Sequence, residues 1–149
     1  MSGMIPLLDY GTVSIFGIVL SIAFCGLPGS RKEWLAYVSG ALVLLLAQGA
    51  ALCFWGAVIL EEAYPLVVHV PLALLLWAIT RRGLWSVVSV LMAYLCCQLR
   101  FWCGLLAMSV LGGDELTLSE AKIIVTLPIL LLLLRFVAPA ICSFGKNPL

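Results

Sequence analysis

The chain has 149 residues, of which 64% are apolar and 10% charged, with a formal net charge of +1 and a mean hydropathy of +1.22. A soluble domain of this length exposes too much surface to hide so large an apolar share, and a disordered chain has the opposite composition. The near-neutral charge excludes the basic field that nucleic-acid binding requires, so lipid is the expected solvent and one membrane domain over residues 1–149 the expected organisation.

A spanning helix needs about 20 mostly apolar residues, and five segments are predicted on that measure. The first covers about 10–27 and stops at Gly26-Leu27-Pro28-Gly29. The second covers about 34–60, and the third about 63–80, with Pro65 and Pro71 near its start. The fourth covers about 84–111 and ends at Gly112-Gly113. The fifth, about 121–142, contains the pure apolar run Ile129 to Leu134. None of these runs alternates as a barrel strand does. The expected class is therefore all-α, a polytopic bundle of five transmembrane helices.

Charges fall at the junctions: Arg31-Lys32-Glu33, then Glu61-Glu62, then Arg81-Arg82, then Asp114-Glu115 with Glu120, and finally Lys146. Basic and acidic junctions alternate. The positive-inside rule assigns the basic ones to the cytoplasm, which gives an outside N-terminus and a cytoplasmic C-terminus. Residues 1–10 contain no Lys or Arg, so a signal peptide is not expected. Short loops leave no room for a soluble domain on either side.

The chemistry-bearing patterns of soluble enzymes are absent. There is no phosphate-cradling Gly-rich loop with a lysine, no Gly-x-Ser-x-Gly and no His-Glu-x-x-His. Glu61-Glu62 is similar to the paired glutamates of prenyl-protein intramembrane proteases, but Leu66 stands where that motif needs an arginine. Six cysteines (Cys25, Cys53, Cys96, Cys97, Cys103, Cys142) lack zinc-ligand spacing and read as small packing residues. The pairs Gly17/Ser21, Ala36/Gly40 and Gly49/Cys53 have the four-residue spacing of close helix contacts. No catalytic residue, metal site or cofactor is expected.

Polar groups inside the membrane are costly and are therefore the first functional candidates. Gln48 lies near the middle of the second span. His69 lies about 10 Å from Glu62 along the third, at 1.5 Å per residue, and the fourth carries Gln98 and Arg100. With Glu61 and Glu62, and Asp9 on the same rim, His69, Gln98 and Arg100 are expected to line a small polar pocket open to the outside. The bland alternative pairs Arg100 with Glu62 or lipid headgroups and leaves His69 and Gln98 bonded to neighbouring helices. Arg135 is placed to snorkel to the inner headgroups. With Pro128 and Pro139 it forms a candidate output hinge on the fifth span.

Three stretches carry a resemblance: Tyr64-Pro65-Leu66-Val67-Val68-His69-Val70-Pro71-Leu72, Ala93-Tyr94-Leu95-Cys96-Cys97-Gln98-Leu99-Arg100, and Thr126-Leu127-Pro128 leading to Arg135-Phe136-Val137-Ala138-Pro139. Over essentially its whole length the chain resembles the N-terminal membrane region of GHKL-type sensor histidine kinases of Firmicutes, related in layout to accessory-gene-regulator kinases. The resemblance implies a multi-pass protein of the bacterial plasma membrane that senses an extracellular or membrane-borne ligand. The ATP-binding boxes are absent, and His69, the single histidine, is embedded, so sensing and not kinase chemistry is implied for this chain. Expected partners are the bilayer, a peptide or small ligand, and a second copy or another membrane protein. A structural or assembly role, or a small transporter, stands as the alternative.

Overall fold

The computed structural model describes residues 4–26, 29–111 and 118–146, and every element in them is helical. Helix α1 spans Met4–Cys25, α2 Arg31–Tyr64, α3 Val70–Thr80, α4 Gly83–Leu111, α5 Leu118–Leu132 and α6 Ala138–Lys146. Single π-helical turns join α2 to α3 (Pro65–His69) and α5 to α6 (Leu133–Val137). Among the described residues, four helical stretches are long and apolar enough to cross a membrane: Leu8–Cys25, Arg31–Gly56, Gly83–Val110 and Leu118–Phe144. Leu66–Thr80 is a shorter apolar helix.

Local chemistry accounts for the helix ends. Ser30 and Glu33 form a capping arrangement at the start of α2, with the Glu33 N–H donating to Ser30 Oγ at 3.2 Å. The Gly29 N–H in turn donates to Glu33 Oε2 at 2.8 Å. Gly26, at φ 119°, ends α1 in a conformation that only glycine takes without strain. Arg81 ends α3 in the left-handed region, its N–H donating to Trp77 O at 2.8 Å.

The boundary between the second and third spans differs from the one predicted. The acidic pair Glu61-Glu62 marks no break, because the backbone there is still helical. The interruption is at Gly56, whose φ 78° and ψ 167° are non-helical. Residues on either side run antiparallel, since a Cβ on Gly40 would lie 2.6 Å from the Leu75 methyls. That pairing centres the reversal close to Gly56. The Ala36/Gly40 spacing thus serves packing within the chain.

Two apolar clusters organise the molecule. One unites Phe16, Leu20 and Phe24 of α1 with Ala93, Cys96 and Cys97 of α4 and with Ile129, Leu133 and Ile141 of the α5–α6 rod. The second joins Ile18 and Cys25 of α1 to Tyr37 of α2, Leu72 and Leu76 of α3, and Val90 of α4. Helices α1, α4 and α5 therefore form the centre, and the α2–α3 hairpin packs beside them. Most of α2 stays exposed as an apolar surface, the pattern of a helix solvated by hydrocarbon.

Candidate functional site

The polar side chains of the central helices converge on Asp9. On α1, Asp9 and Thr12 are three residues apart and share a face; on α5, Lys122 and Thr126 are four apart and do the same. Arg100 reaches both pairs from α4. Its Nη2 donates to Asp9 Oδ1 and to Thr12 Oγ1 at 3.1 Å, while its Nε donates to Thr126 Oγ1 at 2.6 Å. Lys122 Nζ lies 2.5 Å from the other carboxylate oxygen, Asp9 Oδ2.

The shell of this cluster is equally specific. The Thr126 hydroxyl donates to Lys122 O at 2.6 Å and the Thr12 hydroxyl to Asp9 O at 2.8 Å, so each threonine links its own helix turn to the arginine. Lys122 Nζ stands 5.9 Å from the centre of the Phe101 ring, within cation–π range. A Cβ on Gly104 would lie 3.3 Å from the Lys122 backbone, so glycine there lets α5 come close enough for the contact. Arg100 is only 2% exposed and Asp9 8%. Burial on that scale is sustainable for an arginine only when its donors are matched.

The expected single pocket of Glu61, Glu62, His69, Gln98 and Arg100 is not assembled among the described residues. Arg100 pairs with Asp9 and not with His69. His69 instead packs edge-on against Tyr94 of α4, with ring centroids 4.9 Å apart. Tyr94 and Arg100 are six residues apart on one helix, which turns them a third of a revolution away from each other. Gln98 is exposed one turn beyond Tyr94, on the His69 side. The side chains of Glu61 and Glu62 lie outside the described residues.

The shifted boundary also moves His69 deeper. Measured from Gly56 it is about 20 Å along the helix, and about 18 Å from Arg81, at 1.5 Å per residue. It sits near the middle of the third span, against an expected depth of about 10 Å. His69 ends the π-turn Pro65–His69, two residues before Pro71. A proline ring there displaces the carbonyl four residues back, and a widened turn accommodates it.

The same device recurs in the candidate output segment. Arg135 lies within the π-turn Leu133–Val137, which follows directly on α5, and Pro139 stands two residues after the turn. The Ala138 N–H donates to Leu133 O, five residues back. Pro128 lies inside α5, and Pro128, Arg135 and Pro139 are all exposed. The end of the bundle opposite the ion cluster, where the basic junctions lie, is tied by small polar groups. The Thr80 and Ser86 hydroxyls are 3.2 Å apart, with Cys25 Sγ 4.0 Å and 3.9 Å from them.

In the sequence Asp9 stands at the rim, and Thr12, Lys122 and Thr126 carry no motif that marks them as its partners. A signal was present: Lys122, like Arg100, is a cation on the acidic side of the chain. Asp9 and Lys122 also repeat the same spacing logic, a charge with a threonine one turn along the same helix face. The described residues contain no group of three or more His, Cys, Asp or Glu able to hold a metal ion. Comparison with protein-family models, curated proteins and solved structures finds no match.

Proposed function

We propose that the chain is a membrane-embedded sensor and signal-transduction module, of the kind found at the input end of a sensor histidine kinase, with its acidic end outside and its basic end in the cytoplasm. The observation that carries this reading is the buried cluster of Asp9, Arg100 and Lys122. It joins α1, α4 and α5, the three helices whose relative positions a transmembrane signal has to change. Buried ion pairs add little net stability once desolvation is counted, and their best attested use is to select one arrangement over another. An anionic group competing with Asp9 for either cation would favour a second arrangement.

The output path follows the same rod. Lys122 stands near the start of α5, and the π-turn beginning at Leu133 lies about 16 Å further along at 1.5 Å per residue. A displacement at Lys122 reaches Pro128, Arg135 and Pro139 through continuous helix. A ligand drives such a change only by binding the two packings unequally.

The test joins the chain through α6 to the cytoplasmic kinase portion of a sensor histidine kinase and measures autophosphorylation in membrane vesicles. Asp9→Asn is expected to change basal output by at least about 5-fold, the lower bound of ordinary coupling energies. Unchanged output in Asp9→Asn, Arg100→Gln and Lys122→Met, each at wild-type membrane level, overturns the reading.

A further inference from the structure

The face shared by α3 and α4 is used neither by the ion cluster nor by the α5–α6 rod. An apolar groove of about 660 Å³ runs along it, with His69 and Tyr94 at one end and Trp77 and Gly83 at the other. Its wall on the third span extends from Leu66 to Trp77 and on α4 from Gly83 to Tyr94. Each stretch is about 16 Å long at 1.5 Å per residue. A hydrocarbon core about 30 Å thick gives each leaflet about 15 Å, so the groove is one leaflet deep. A partner's transmembrane helix would need contact across both leaflets, whereas an acyl chain occupies one.

The end of the groove at Trp77 and Gly83 is flanked by Arg81 and Arg82, both exposed. Their backbone is fixed: the Arg81 N–H donates to Trp77 O at 2.8 Å, and the Arg82 N–H to Thr80 Oγ1 at 3.3 Å. Guanidinium groups match phosphate in charge and in hydrogen-bond geometry. Trp77 is exposed one turn inside them, at the level where amphipathic rings settle beside headgroups. Charge, depth and lining therefore agree on a single occupant.

We propose that this groove is a binding site for one anionic phospholipid, with its phosphate on Arg81 and Arg82 and one acyl chain along α3 and α4 as far as His69. The site rests on membrane placement and is independent of signalling.

Native mass spectrometry of the full chain, released from mixed micelles holding equal amounts of dioleoyl phosphatidylglycerol and dioleoyl phosphatidylcholine, tests the site. The anionic lipid is expected to be retained about 30-fold over the zwitterionic one, the preference that two juxtamembrane arginines supply. Arg81→Ala with Arg82→Ala is expected to abolish that preference, while Arg31→Ala with Lys32→Ala, at the same end of the bundle, leaves it intact. Val87→Trp, which fills the groove from an exposed position, is expected to lower retention of both lipids at least 5-fold. Equal retention of the two lipids overturns the site and leaves membrane placement standing; retention of neither overturns both. Loss of preference in the Arg31/Lys32 variant, unchanged retention in Val87→Trp, displacement by inorganic phosphate, or a second copy retained in place of lipid each overturns it as well.

Discussion

Asp9 holds two cations with its two carboxylate oxygens, Arg100 on one and Lys122 on the other, and the energetic consequences are unequal for the three partners. Removing the carboxylate strands the buried Arg100 and the half-buried Lys122 together, whereas removing Lys122, the most exposed of the three side chains, leaves the Asp9–Arg100 pair intact. Breaking a buried pair from one side costs about 3–5 kcal/mol. Asp9→Asn is therefore expected to destabilise the folded bundle by about that amount and Lys122→Met by clearly less, as read from SDS-driven unfolding in mixed micelles. Adding Arg100→Gln to Asp9→Asn is expected to cost less than the sum of the single changes, with a coupling of about 0.5–3 kcal/mol. Additive effects would show that the cluster does not act as a unit. Arg100 was conspicuous in the sequence as an intramembrane cation. Its partner was not, because Asp9 is 91 residues away and no local spacing relates the two.

The α2–α3 hairpin is governed by one glycine. In sequence, Phe54-Trp55-Gly56-Ala57 continues an apolar run, and the acids at 61 and 62 look like the place where the chain meets water. The backbone turns earlier, because the φ 78°, ψ 167° conformation at Gly56 belongs to a region that is essentially reserved for glycine. There is open space around it, with nothing within 4 Å of an added Cβ. Gly56→Ala is thus expected to cost about 1–3 kcal/mol through backbone strain alone. Gly49→Ala, equally open but inside regular helix, is expected to stabilise by up to about 1 kcal/mol. Unfolding midpoints of the two variants in the same detergent check the pair, and equal shifts would remove the conformational explanation. The prolines, by contrast, were legible: Pro71 and Pro139 each stand two residues after a π-turn, at the places where a missing N–H and a bulky ring force the ladder to widen.

At the scale of the molecule, successive reversals gather Arg31, Lys32, Arg81 and Arg82 at one end and Asp9 and Glu120 toward the other. Arg100 and Lys122 lie toward the acidic end, where Asp9 pairs with both, so the two cations that break the alternation are matched inside the protein. The charge left to interact with the membrane surfaces is then basic on one side. In a variant lacking the six native cysteines, Ser30→Cys is expected to resist a membrane-impermeant thiol reagent added to intact cells and Gly113→Cys to react with it. The opposite labelling pattern would invert the proposed orientation. Small residues illustrate how packing differs from pattern: Gly40 and Gly104 each admit a neighbouring helix, while Gly49, in the same kind of spacing, faces open space.

The sequence alone determined the helical class, the approximate spans and the alternation of charge, because hydrocarbon thickness and the cost of unpaired backbone act on every residue locally and leave a readable pattern of length and polarity. Tertiary structure alone decided which polar groups meet. It drew Arg100 to Asp9 and Lys122, set His69 against Tyr94 over an apolar groove, and moved the hairpin turn to Gly56. Those outcomes depend on which faces of distant helices pack together, and helix faces are related through side-chain fit across the bundle, which periodicity along a single helix does not encode.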